Sequence, residues 1–146
     1  PTVFLDRLEN TVKSFIKDGR GVIVIDSLNQ LFISLDPSMG LSFIKGLKRL
    51  CRKYSLTTVV TMHTNIPGFE QIESLINYMV DGVVVFDYDP AFEQVGLPLR
   101  RLRILKMRNT GHSISWVPYR ITAKGLELVD TKALLDVVRK MTGKTG

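Results

Sequence analysis

Asp26 closes a run of four apolar residues, Val22-Ile23-Val24-Ile25, and Ser27 follows it. A carboxylate at the end of a strand can hold Mg²⁺ directly or through water, because Mg²⁺ prefers hard oxygen ligands and keeps several waters. Ser27 adds a hydrogen-bonding hydroxyl beside it. About eighty residues on, Lys106 and Arg108 flank Met107. From Arg100 to Arg120 there are six Lys/Arg and no Asp or Glu. Lysine supplies a point charge and arginine a planar fork that fits phosphate oxygens. Cations placed in this way can stabilise charge on a transferring γ-phosphoryl group. His63 ends a second β-branched run, so it should open on the same sheet edge as Asp26. It could sense or orient a γ-phosphate or a water; a polar loop histidine is the competing reading. The candidates are therefore Asp26 for Mg²⁺, Asp26 and Ser27 for a cofactor, and Lys106, Arg108 and His63 for catalysis.

One partner of such a set is missing. A phosphate loop of the form G-x-x-x-x-G-K-[ST] cradles nucleotide phosphates with backbone N–H groups, and the sequence has none. Gly143-Lys144-Thr145 has no preceding glycine loop and is not expected to be a phosphate loop. Other chemistries fare worse. Cys51 is the only cysteine, which rules out an internal disulfide and a cysteine-built zinc site. The two histidines lack His-x-x-x-His spacing, and no serine sits in G-x-S-x-G.

The elements that must position these residues follow from periodicity. Val3, Phe4, Leu8, Val12, Phe15 and Ile16 predict a helix over 3–17. Val22 to Ile25 reads as a strand covered on both faces. Asp36-Pro37-Ser38 opens a second helix, with Phe43, Ile44, Leu47, Leu50, Cys51 and Tyr54 on its buried stripe. Lys45, Lys48, Arg49, Arg52 and Lys53 form its solvated face. Leu56–Met62 is a second strand, 69–79 a third helix and Val83–Phe86 a third strand. That alternation is the pattern of a parallel sheet with crossover helices. Residues 88–98 read as a loop, and Arg100–Met107 and Ser113–Ile121 as a hairpin joined at 108–112. Leu126–Val129 adds a short strand, and Leu134, Leu135, Val137, Val138 and Met141 a closing helix.

Within Arg100–Met107, alternation puts Arg101 and Arg103 opposite Leu102 and Ile104. Leu105 breaks the phase and sends Lys106 and Arg108 to the apolar parity. Two cations on a covered face would be costly. Either a β-bulge shifts the register, or both lie beyond the edge of the cover. Trp116 and Tyr119 read as hairpin core or interface rather than a base-stacking platform.

The 146 residues suit one domain with a real core, taken as 1–146. No apolar run reaches the length of a membrane span, and the expected location is the cytoplasm. The net charge of +6 is concentrated in the Arg100–Arg120 stretch. That patch could meet a phosphate, an acidic partner surface or a nucleic acid at Arg100, Arg101 and Arg103.

Five segments in order resemble the KaiC-like branch of the RecA superfamily. They are the Val22–Leu28 strand with its acid, Leu56–Met62, Val80–Val85, Arg101–Arg108, and Tyr119–Val129 with its Ile121-Thr122-x-x-Gly125. The resemblance implies an α/β fold: a partial RecA-like core with a mostly parallel sheet and a C-terminal antiparallel hairpin. It implies ATP and Mg²⁺ as cofactors, with Asp26 as the Walker B acid. Subunits would form rings, often hexamers, in which Lys106 and Arg108 reach the ATP of the next subunit. Thr61-Met62-His63 falls where that family ends a segment in a γ-phosphate sensor. The family's phosphate loop and catalytic glutamates precede the Asp26 strand, and neither is found here. The expectation is therefore a truncated core, the C-terminal portion of an ATPase, not competent for normal ATP binding alone. A truncated core of this kind could also dimerise through the strand edges it leaves unpaired. The alternatives are a non-enzymatic pseudo-ATPase that regulates an intact relative, and a recombinase-like nucleic-acid-binding module.

Overall fold

The computed structural model describes residues 2–16, 20–33, 36–94, 96, 98–130 and 132. The expected closing helix over 134–141 lies outside them. The chain forms two compact units, residues 1–80 and 81–146.

The first unit holds α1 (Thr2–Phe15), β1 (Gly21–Ile25), α2 (Leu28–Ile33), α3 (Pro37–Tyr54), β2 (Leu56–Val60) and α4 (Glu70–Met79). Asp36 caps α3: its carboxylate accepts from the Met39 N–H at 2.9 Å, which satisfies one of the orphan donors of the first turn. Ser55 ends α3 in the left-handed region at φ 52°. Leu28, Phe32, Phe43, Ile44, Leu47, Ile72 and Ile76 form one core cluster, and Val12, Leu50 and Leu56 a second. Burial of each large side chain contributes about 1.5–3 kcal/mol.

β1 and β2 pair in parallel, from Gly21 opposite Leu56 to Ile25 opposite Val60. The expectation of a strand covered on both faces fails. Ile23 and Ile25 pack toward the helices, while Val22 and Val24 are 65% and 67% exposed and Val59 shares their side. On helix α3, Lys45, Arg49, Arg52 and Lys53 are exposed as expected, and Lys48 departs from that face. Lys48 is half-buried, and its ammonium donates to the Met79 carbonyl at 2.7 Å, one of the acceptors a helix end leaves unpaired. Lys53 donates to Glu9 at 2.7 Å and so ties α3 to α1. Cys51 is partly buried, its Sγ 2.7 Å from Thr58 Oγ1.

The second unit is antiparallel. β3 (Gly82–Tyr88), β4 (Arg100–Met107), β5 (Val117–Thr122) and β6 (Gly125–Leu128) lie in that order, and a short helix α5 (Pro90–Gln94) interrupts the expected 88–98 loop. The third strand thus takes β4 as its hydrogen-bonded neighbour. The structure as a whole is α/β, with a parallel pair and an antiparallel sheet. The expected hairpin is looser than its sequence suggests. β5 begins only at Val117, and it meets β4 only at Arg101–Pro118 and Leu102–Val117. Pro118 has no N–H to continue the ladder.

Candidate functional site

In the first unit, three contacts bind the segment after β1 to the segment after β2. The Thr61 hydroxyl donates to Asp26 Oδ1. The Leu28 N–H donates to the Thr61 carbonyl at 2.9 Å. Asn29 then uses both ends of its amide on one backbone residue: Nδ2 donates to the His63 carbonyl at 3.0 Å, and Oδ1 accepts from the His63 N–H at 2.7 Å. Asn29 is only 6% exposed and is the one buried polar residue among those described. Its side chain therefore sets how the Thr61-Met62-His63 segment leaves the sheet. The Asp26–Ser27 peptide bond is cis.

The expected shared edge is present: Asp26 and His63 lie past the carboxyl ends of paired parallel strands, where ligands of open α/β sheets bind. Asp26 is exposed, and its second oxygen, Oδ2, accepts no hydrogen bond among the described residues. Ser27 is half-buried and His63 exposed.

Among the described residues there is no group of three His, Cys, Asp or Glu side chains able to hold a metal ion. Asp26 alone fits one kind of divalent site. It offers a hard oxygen to a Mg²⁺ that takes its other ligands from phosphates and water. It does not fit a cation caged by protein alone. For ATP the described residues fit less well, because no glycine loop is present to hold the phosphates.

The second unit resolves the phase break at Leu105. Val83 pairs with Lys106 and Val84 with Ile104, so Leu105 is the extra residue of a β-bulge. Cross-strand partners share a face, and Val85 pairs with Arg103 while Asp87 pairs with Arg101. The bulge therefore brings Lys106 to the face of Arg101 and Arg103, away from Ile104 and Leu102. Leu105 itself is exposed. The opposite face is apolar and open, with Val84, Phe86, Ile121, Leu126 and Leu128 exposed. Phe86 packs edge-on against Tyr119, with ring centroids 5.6 Å apart.

Acids from outside the basic stretch counter part of it. Arg101 binds Asp87 at 3.2 Å and Asp89 at 2.9 Å. Arg108 sits in the turn after β4, where its N–H donates to the Asp81 carbonyl at 2.8 Å and its guanidinium meets the Asp81 carboxylate at 3.3 Å. Arg120 binds Glu127 at 2.8 Å. Arg100 stands over the Tyr88 ring. Trp116, expected in a hairpin core or interface, lies beneath two guanidinium groups, those of Arg101 at 4.2 Å and Arg103 at 4.6 Å. Stacked in this way, each cation gains from the ring quadrupole.

The sequence pointed to Asp26, Ser27 and His63, and the structure places them on one edge of the first unit. Lys106 and Arg108 belong to the second unit. Asn29 and Thr61 were not singled out. A lone asparagine carries no spacing signal, although Leu28, Leu31 and Phe32 at helical intervals could have announced α2 behind it.

The family model described as "ATPase: KaiC" matches residues 2–133. A UPF0273 protein of Pyrococcus horikoshii is 32% identical over 119 residues, covering 77% of this chain and 44% of the relative. One from Thermotoga maritima is 33% identical over 111 residues, covering 71% and 41%. The crystal structure of a KaiC-like protein from Pyrococcus horikoshii superposes with a TM-score of 0.65 at 26% identity, covering 87% of this chain and 53% of that one. The chain thus spans less than half the length of these two curated relatives. Among the described residues no helix is long and apolar enough to cross a membrane.

Proposed function

The chain belongs to the KaiC family of ATPases, and from that premise we propose that it supplies two parts of an ATP site shared between subunits. Asp26 is the acid on the Mg²⁺ side, and Lys106 and Arg108 are the cations that meet the γ-phosphate of ATP held by a neighbouring subunit. Ser27 and His63 line the Asp26 edge. Mg²⁺ would there neutralise charge on the phosphates. The chain does not bind ATP normally by itself, for its sequence holds no phosphate loop. Rings of such subunits, hexamers among them, satisfy this division of labour.

The observation that carries the reading is the Asp26 carboxylate: exposed at the carboxyl ends of β1 and β2, oriented by Thr61 through one oxygen, with the other accepting no hydrogen bond among the described residues.

Trans action can be tested by complementation in the assembled ATPase. Subunits carrying Asp26→Ala are mixed with subunits carrying both Lys106→Ala and Arg108→Ala. Sites built across subunits predict more hydrolysis in the mixture than in either variant assembly. If mixing restores nothing while both variants still assemble, the trans assignment is wrong.

A further inference from the structure

We propose that Arg103 is a third phosphate-binding cation on the face that carries Lys106, taking a phosphoryl oxygen of the same polyphosphate. The inference rests on the shared-site reading above and adds a residue to it.

Four observations lead there. The bulge at Leu105 puts Lys106 and Arg103 on one face of the sheet, opposite Val83 and Val85. Among the basic residues of this stretch, Arg101, Arg108 and Arg120 each bind a carboxylate, and Arg100 sits against Tyr88. Arg103 has no carboxylate among the described residues; its contact is the Trp116 ring. Finally, the Arg103 Nε is buried and has no hydrogen-bond partner among the described residues.

A guanidinium presents five donors in a rigid fork. A place over an indole ring attracts the cation but satisfies none of its N–H groups. A buried donor left without an acceptor is costly. An oxyanion on the terminal N–H groups of this guanidinium would supply the countercharge that no carboxylate of the described residues supplies. The Arg101 Nε is likewise unsatisfied, but its guanidinium is already held by Asp87 and Asp89. Unlike Arg101, Arg103 can take an anion without displacing a carboxylate of the described residues. A chain of linked phosphates suits the pair better than a single small anion, since it can engage Arg103 and Lys106 at the same time.

Trp116 is the only tryptophan, so its fluorescence reports on the two guanidinium groups over its ring, and the variants separate Arg103 from Arg101. The probe is inorganic tripolyphosphate, titrated into the chain at low salt. We expect a saturable change in Trp116 emission, and binding about ten-fold weaker in Arg103→Gln. Arg103→Lys, which keeps the charge and loses the fork, should fall between, and it guards against a glutamine variant that does not fold. Lys106→Gln should also weaken binding. Arg100→Gln, with the same loss of charge beside Tyr88, should not.

Unchanged affinity in both Arg103 variants overturns the proposal, whatever Lys106→Gln does. So does an equal loss in Arg100→Gln, which would reduce the effect to net charge. Oligothymidylate that binds more tightly than tripolyphosphate, with a steep fall in salt, would reassign the face to nucleic acid and overturn it too. If the Arg103 variants weaken binding while Lys106→Gln and Arg108→Gln do not, the Arg103 site stands and the assignment of Lys106 and Arg108 to the γ-phosphate fails.

Discussion

Replacing Asn29 with alanine should loosen the clamp that sets the Asp26 edge. Asn29 makes two side-chain hydrogen bonds to one backbone residue, at 2.7 Å and 3.0 Å, from a position 6% exposed. Each such bond is worth about 0.5–1.5 kcal/mol net, and a buried group left unpaired costs about 1–3 kcal/mol. His63 is exposed, so water can recover part of that penalty. The net loss should be about 2–3 kcal/mol for the first unit. Asn29→Asp keeps the acceptor for the His63 N–H but sets a carboxylate against the His63 carbonyl, so it should not rescue. The assay is urea unfolding followed by far-ultraviolet circular dichroism, to which the long helices α1, α3 and α4 contribute most. Native-state hydrogen exchange of the His63 amide gives the local reading, with exchange faster by roughly ten- to a hundred-fold. A stability loss under about 0.5 kcal/mol, the range of an ordinary surface change, with His63 protection unaltered, would refute the clamp.

Three further outcomes follow from the same geometry. At Gly40 an added Cβ would lie 1.9 Å from Phe32 Cε1 in the core. Gly40→Ala should therefore destabilise, because overpacking costs about 1–3 kcal/mol against the roughly 0.5–1 kcal/mol gained by removing a helical glycine; denaturant unfolding decides the sign. Hydrogen bonds from Lys53 and then Tyr54 lower the Glu9 pKa from 4.5 to about 2. A depressed carboxylate stabilises the fold above its unfolded pKa, and that contribution is lost as pH falls from about 4.5 through about 2. Melting curves of wild type and Glu9→Gln should converge across that window, and parallel curves would contradict the assignment. Deleting Leu105 removes the bulge residue yet leaves Lys106 in phase with Arg103. The sheet should stay folded and the Lys106 contribution to tripolyphosphate binding should persist; its loss would mean that the bulge itself aims the lysine.

Legibility in the sequence followed the range of the interaction. The helix α3 was plain because its cap, its proline and its apolar stripe are local. β4 was found at its observed limits, Arg100–Met107, because its alternation is regular up to Leu105. The break at Leu105 was visible, but choosing between a bulge and an overhang needed the partner strand. α5 was missed although its signal is local: Asp89 accepts from the Ala91 N–H just ahead of Pro90 and its neighbours. Contacts between distant residues left no trace. The Asp81–Arg108 pair spans 27 residues and the Asn29–His63 clamp 34. Charge counting along Arg100–Arg120 therefore overstated the free cations, since their counter-ions come from β3, the residue on either side of it, and β6. The exposed valines of β1 were hidden for a related reason: an apolar run states which residues can be buried, and not how many layers cover them.

Calorimetric titration of MgATP into this 146-residue chain, paired with a hydrolysis assay, decides whether Asp26 and the cations depend on a phosphate loop from elsewhere. No tight binding and no turnover by the chain alone is expected, with hydrolysis appearing only where such a loop completes the site. Tight binding and hydrolysis by the chain alone, unchanged in Asp26→Ala and in Lys106→Ala, would contradict that dependence.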